Sequence, residues 1–477
     1  MAELRLDRLP PAQAALLRVA AEAAGGEAVL VGGAIRDVVL RRASADVDVA
    51  VPSGAIEAAG RCAERLGGTR VVLDAERGAA RVVIDGGLTL DLTDFRGPTL
   101  EADLAARDFT VDALAVALAP LLARGRAPIV DPTGGLADLT ARRLRPAGPG
   151  VLDDDPLRAL RAVRLEATLG LRLTPSAARR VREAARGLEH VSAERVRDEL
   201  LVLLALPETA RALRRAEALD VLGVVVPEIE PMRATKQPPP HRFDVLEHSL
   251  RAVGGCDRLL ARLDALTPYA EELTAHVAEP LGGGARRGAA LKLAALLHDV
   301  SKPETRRRVA GRVRFFEHDV IGARRARAIG ERLRLPERMI AVVERLVRHH
   351  LRPMHLGHAR AITPRARYRF YRDLREDTRD LLLLVLADAA AVTGASPLTT
   401  WRRAGVVREL FAGWSEQHRA QTRPAFLRGE DVMARFSLEP GPRVGWLLAQ
   451  AREAQDLGRV RSREEALAYL DSLDPGP

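Results

Sequence analysis

The chain contains only two cysteines, Cys62 and Cys256, which form no disulfide framework and no metal-ligand spacing. It has no asparagine, three lysines (Lys236, Lys292 and Lys302) and 3% aromatic residues. No stretch reaches the ~18 uninterrupted apolar residues of a membrane span. The N-terminal segment lacks a basic region followed by a clean apolar run. These absences argue against a disulfide-stapled secreted scaffold and a membrane partner, and they predict a cytoplasmic protein.

Arginine supplies nearly all the positive charge. Together with abundant alanine and absent asparagine, this is the skew of a GC-rich genome, so arginine frequency alone carries no function. The excess of 74 basic over 64 acidic residues, net charge +10, is harder to attribute to codon bias and fits a polyanionic partner. At 477 residues with 47% hydrophobic content, the chain is long enough for two to four folded units.

Residues 1–140 mix short β-branched or alternating runs (28–31, 46–51, 70–73, 81–84 and 89–93) with helical patterns at 11–24, 34–41 and 54–66. Beyond about residue 141 strand signals nearly vanish, and apolar residues recur every three or four positions, as at 156–169 and 193–206. Proline-rich residues 231–240 and glycines 282–284 punctuate the helical part. The expected organisation is an α/β head (1–140), a helical neck (141–230), a second helical domain (231–400) and a helical tail (401–477).

The densest chemical signal is VLVGGAIRDVVLRRASADVDVAV, residues 29–51. A strand running into Gly32-Gly33 lets backbone N–H groups approach phosphates closely. Asp46 and Asp48, two apart on the next strand, point to one face and repel unless a cation lies between them. Asp91 in LTLDLTDFRG offers a third carboxylate. Hard oxygen ligands suit Mg²⁺, and three carboxylates can hold two ions for phosphoryl transfer.

This segment resembles class II tRNA nucleotidyltransferases and the related bacterial poly(A) polymerases of the polymerase-β-like superfamily. The resemblance implies a polymerase-β-like head followed by an all-α neck, an HD-type helical domain and a helical tail. It also implies that Gly32, Gly33 and Arg36 orient a nucleoside triphosphate. ARDFTVDALAV, residues 106–116, is similar to the family's ribose-contacting motif, with Arg107 and Asp108 in place. Ala106 replaces an arginine there and Asp112 an asparagine, exchanging a neutral amide for an anion. Arg41 stands where the family has glycine. DPTGGLADL, residues 131–139, resembles the turn that closes the head.

DDDPLRALRAVRLEATLGL, from residue 153, resembles the element that reads the incoming base, with Asp154, Asp155 and Arg158 matching. A carboxylate accepts from the exocyclic amine of C or A and arginine donates to the ring nitrogen, whereas U and G present the reverse pattern. ERVRDEL, residues 194–200, matches a further helix motif that reads as structural.

Nine of the eleven histidines lie between His241 and His358. HRFDVLEHSL, LKLAALLHDVSKPETR, FFEHDVIGA, VRHHLRP and LLLVLADAAAV together resemble an HD-type metal phosphohydrolase domain. The resemblance implies His248, His298, Asp299 and Asp388 as ligands, with His318 and His349 as candidates for a second ion or a phosphate, and Lys302 for phosphate charge. Imidazole with carboxylate suits Mn²⁺ or Ni²⁺.

The implied reaction adds CMP, or CMP and AMP, from CTP and ATP to the acceptor end of tRNA. Ten residues, 97–106, separate Arg96 from Arg107. Family enzymes that complete CCA have a longer loop here, and a short one resembles the CC-adding subtype. A-only addition, poly(A) synthesis, a metal phosphohydrolase with the head as an RNA-docking module, and a catalytically silent RNA-binding protein are the other readings that the sequence leaves open.

Overall fold

The computed structural model describes residues 2–42, 46–84, 87–357, 361–421 and 424–473. The chain divides into two compact units: Met1–Glu199 with Arg215–Val225, and Leu200–Arg214 with Val226–Pro477.

The first unit is built on a six-stranded sheet. Its strands are β1 (Val29–Val31), β2 (Asp46–Val51), β3 (Thr69–Asp74), β4 (Ala79–Val83), β5 (Thr89–Asp94) and β6 (Ala115–Ala117). The spatial order is β3-β4-β5-β2-β1-β6, antiparallel throughout except for the central pair β2 and β5. Val47, Val49, Leu90 and Leu92 alternate with polar residues and are almost wholly buried. This is the period-two pattern of a sheet with one covered face. Three helices pack on this framework: α1 (Pro11–Ala24), α2 (Gly33–Val39) and α3 (Ala55–Leu66). Ala55, Ala58, Ala59, Cys62 and Ala63 form the buried stripe of α3. β6 was not among the expected strands: its small apolar residues sit inside the motif read as ribose-contacting. Arg41 has φ 56, so the position where the family has glycine is one that L side chains disfavour.

Helix α4 (Leu100–Ala105) follows β5, and α5 (Leu157–Leu169) and α6 (Ala193–Ala205) follow the head. Asp131 accepts hydrogen bonds from the N–H groups of Gly134, Gly135 and Leu136 at 2.7–2.9 Å. A Cβ on Gly135 would lie 2.1 Å from the Thr110 carbonyl oxygen. The DPTGG turn is therefore a close-packed closure, as its resemblance implies.

The second unit is mainly helical. α7 (Val245–Leu260), α8 (Arg287–Leu297), α9 (His318–Arg332), α10 (Glu337–His349) and α11 (Thr378–Thr393) form its central bundle. A separate small core joins Val432, Leu447, Ala454 and Leu470 of the tail helices. The expected all-α character has exceptions among the described residues: a short antiparallel pair of Pro280–Gly282 with Ala285–Arg286, and a longer antiparallel hairpin of β7 (Arg306–Val309) and β8 (Arg312–Phe315). The longer hairpin escaped the sequence because three successive exposed arginines open it and no residue of either strand is buried. Among the described residues no single helix is long and apolar enough to cross a membrane.

Helices α7 and α11 approach closely because position 255 is glycine. A Cβ there would lie 2.9 Å from Cα, Cβ and O of Ala387. Replacing a mid-helix glycine by alanine ordinarily stabilises by about 1 kcal/mol. Here overpacking reverses the sign, and Gly255→Ala is expected to destabilise by about 1–3 kcal/mol in urea denaturation. An increase in stability would show that the helices separate freely.

Candidate functional site

In the head, the parallel register of β2 and β5 sets Asp48 directly beside Asp91. Asp46 begins β2 opposite Thr89; its side chain lies outside the described part. Asp91 is held by Arg81 of β4 through paired hydrogen bonds of 2.8 and 2.7 Å. Gly32 has φ 78, and a Cβ on it would lie 3.1 Å from Asp48 Oδ2 and 3.9 Å from Arg107 Nη1. The GG turn, the second carboxylate and the arginine of the 106–116 motif thus meet at one corner. Arg107 is fixed there by Asp103, which is fully buried and accepts from Arg107 Nε at 2.9 Å.

Arg36 donates to Asp37 Oδ1 at 2.9 Å and forms an ion pair with Asp112. Burial opposes its charge, yet Asp112 and Asp37 raise its pKa above the ordinary value. The carboxylate that replaces the family's asparagine therefore has a defined partner.

Asp108 is the hub of a second network. Arg158 Nε lies 2.5 Å from Asp108 Oδ1, and Arg161 pairs with Oδ2. Burial pushes the Asp108 carboxyl up, but Arg161 and Arg158 bring it below the usual range. Arg158 is itself 5% exposed and donates to the Val151 and Ala106 carbonyls at 2.6 and 3.3 Å. Asp154 is exposed, whereas Asp155 accepts from Arg195 at 2.6 Å. Glu199, in the ERVRDEL helix, accepts from Arg161 and Arg164 at 2.8 and 2.6 Å. Arg161 is absent from the residues singled out in the sequence, although the three-residue spacing of Arg158, Arg161 and Arg164 along one helix was a usable signal.

In the second unit, α7, the end of α8, α9, α10 and α11 bring a histidine–aspartate cluster together. His248 Nε2 lies 2.9 Å from Asp388 Oδ1 and 3.3 Å from His298 Nε2. His318 Nε2 lies 3.3 Å from His350 Nε2. Asp299 joins the two groups: Oδ2 is 3.2 Å from His298 Nε2 and Oδ1 is 3.4 Å from His318 Nε2. Both groups, His248–His298–Asp388 and Asp299–His318–His350, have the ligand-atom spacing of a metal site.

The other ring nitrogens explain the orientation. Nδ1 of His298, His318 and His350 lies 2.7–2.9 Å from the carbonyls of Ala295, Phe315 and Val347. An Nδ1–H donating to a carbonyl leaves the Nε2 lone pair as a ligand. Burial pushes His350 down to about 3, so its ring is neutral; burial also opposes charge on His298, but Asp299 and Asp388 raise it to about 9, so a metal at its Nε2 has to displace a proton. Lys302 Nζ lies 2.6 Å from Asp299 Oδ2, and also donates to Gln237. His350 thus occupies the place expected for His349, which sits beside Arg352 and Asp373 and belongs to neither group. His350→Ala is expected to weaken divalent-metal binding at least about tenfold, whereas His349→Ala leaves it unchanged, measured by calorimetric titration.

Comparison with known proteins agrees with this geometry. Residues 28–145 match the poly A polymerase head domain, 170–233 the probable RNA and SrmB-binding site of polymerase A, and 245–392 the HD domain. The A-adding tRNA nucleotidyltransferase of Deinococcus radiodurans is 38% identical, over 93% of this chain and 94% of that protein. The CC-adding tRNA nucleotidyltransferase of Thermus thermophilus is likewise 38% identical, over 93% of each. The structure of the Thermotoga maritima CCA-adding enzyme complexed with tRNA shares the fold, with TM-score 0.58 and 20% identity over 99% of each chain. A head with paired carboxylates on parallel strands, joined to a histidine-rich HD domain, thus marks this chain as a member of the tRNA nucleotidyltransferase family.

Proposed function

We propose that this protein is a CC-adding enzyme, which transfers two CMP units from CTP to the 3′ end of tRNA and releases pyrophosphate. The observation that carries the transferase reading is the side-by-side placement of Asp48 and Asp91 against the Gly32 turn. Three oxygen donors, Asp46, Asp48 and Asp91, fit a hard cation such as Mg²⁺. Bound there, Mg²⁺ supplies acidification of the attacking 3′-OH and screening of the pentacovalent phosphorus.

The chain's own groups do the rest. Gly32 and Gly33, without side chains, offer backbone N–H groups to a phosphate, and Arg36 exchanges part of its hold on Asp112 for the triphosphate. Arg107, braced by Asp103, lies beside the same corner. Asp108 contacts the ribose from within its arginine network, and Asp112 belongs to the same nucleotide pocket. Base choice falls to Asp154, Asp155 and Arg158. Arg158 already has three partners, so reading a base requires it to release one of them.

The choice of CC rests on the segment between β5 and Arg107. Thr99 caps α4 by accepting from Ala102 N at 3.2 Å. Asp103 accepts from Arg96 N at 3.1 Å, and Arg96 Nη1 donates to Ala106 O at 3.0 Å. A segment strapped at both ends has little travel for re-forming a pocket around a second, larger base.

The remaining assignments belong to the same reading. The neck, second domain and tail hold the tRNA acceptor arm by shape and backbone, in the cytoplasm. His248, His298 and Asp388, with Asp299, His318 and His350 beside them, would hold a divalent transition metal such as Mn²⁺ or Ni²⁺.

The test is incubation with Mg²⁺ and tRNA ending before CCA, given CTP alone and then CTP with ATP. Growth by two nucleotides under both conditions is expected. Growth to three when ATP is added would replace CC addition by full CCA addition. Extension by one AMP of tRNA already ending in CC, with no CTP use, would make it A-adding. Long A tails would indicate poly(A) synthesis.

A further inference from the structure

The segment between the His298-Asp299 pair and His318 carries the hairpin of β7 and β8, which holds none of the groups assigned above to nucleotide addition. Arg307 lies opposite Arg314 and Val309 opposite Arg312. Residues 310 and 311 form the two-residue loop, both at positive φ (47 and 77), as in a type I′ turn. Directly opposed residues share a face. Arg307, Val309, Arg312 and Arg314 therefore make up one face, and all four are exposed. The next residue, Phe316, is 56% exposed.

The hairpin's two strands also carry Arg306 and Arg308. Among the described residues none of these five arginines has a carboxylate at ion-pair distance. Arg307 donates to the backbone carbonyls of Glu304 and Arg306 at 3.2 and 3.1 Å. The nearby Glu304 carboxylate is taken by Arg325 at 2.7 Å. Two arginines of the same unit show what matching looks like: Arg287 meets Glu279, Asp377 and Asp380, and Arg327 meets Glu331, Glu337 and Glu344. Codon bias raises the number of arginines, but it does not remove their partners. A like-charged pair directly opposite on a two-stranded hairpin weakens an element that is already marginal. Such a surface is relieved by a polyanion.

We propose that the outward face of this hairpin binds the phosphate backbone of tRNA through Arg307, Arg312 and Arg314, with Phe316 offered to an unstacked base. Alternate strand residues stand about 6.6 Å apart, so Arg312 and Arg314 reach separate phosphates. The surface lies outside the matched RNA-binding segment at 170–233 and adds a second grip. It rests on the reading of tRNA as substrate. His318 Nδ1 lies 2.8 Å from the Phe315 carbonyl, so the RNA-bearing strand is joined directly to the histidine cluster.

The test compares the full-length protein with its R307A/R312A/R314A variant, using filter binding to unmodified tRNA across a salt series. The three side chains are exposed, and a matched thermal melt confirms an intact fold. The variant is expected to bind at least tenfold more weakly at low salt. The slope of log affinity against log salt should fall by about 2–3, the release expected from three lost phosphate contacts. The KM for tRNA should rise with no parallel rise in the KM for CTP, and R307K/R312K/R314K should restore most of the binding. Unchanged affinity and slope would overturn the proposal. So would loss of binding to phosphatidylserine vesicles with tRNA affinity intact, which would assign the face to a membrane surface. Binding is read apart from addition, so a wild-type protein that binds tRNA without extending it would contradict the transferase reading and not the hairpin.

Discussion

The arrangement of the head depends on one pairing, the parallel register of β2 with β5. In an otherwise antiparallel sheet, this pair alone sets two strand carboxylates next to each other without an intervening residue. Like charges so placed repel, and the protein meets the repulsion on one side with Arg81 on Asp91. The cost of the arrangement is what makes it informative. A purely structural sheet would have placed uncharged residues at these positions, as it does one and two residues further on, at Val49 beside Leu92 and Ala50 beside Thr93.

Around that pair, arginine is used as a positioning residue. Arg36 takes Asp112, Arg107 takes Asp103, and Arg158 with Arg161 takes Asp108, while Glu199 collects Arg161 and Arg164 in turn. Buried ion pairs add little net stability compared with apolar packing, but losing one partner leaves a stranded charge that costs about 3–5 kcal/mol. The network therefore defines where each motif residue sits more than it strengthens the fold. The same logic holds in the second unit, where a ring nitrogen tied to a backbone carbonyl leaves the opposite nitrogen free to meet its neighbours. By contrast, the arginines of the β7–β8 hairpin lack such matching.

Much of this was legible in the sequence. Strict alternation and Gly or Pro boundaries gave β2 its full extent, 46–51, and α1 its full extent, 11–24. The GG turn, DxD and third carboxylate were readable because period two fixes faces before any tertiary contact is known. Other features depend on information that a linear pattern lacks. His349 and His350 are neighbours at the end of α10, about 100° apart around a helix axis, and only packing decides which enters the cluster. The partner of Asp112 lies 76 residues away, so the meaning of that substitution could not be read locally. The hairpin was hidden because β7 reads Arg-Arg-Arg-Val without alternation, and neither strand has a buried stripe to mark it.

On the proposed reading, nucleotide addition depends on Asp48, and the histidine cluster is separate from it. Incorporation of labelled CMP into tRNA, measured in parallel for Asp48→Ala and His298→Ala, tests that division most directly. Incorporation should fall to background in Asp48→Ala and persist in His298→Ala. Normal incorporation by Asp48→Ala, with loss in His298→Ala, would contradict the account and move the chemistry to the HD domain.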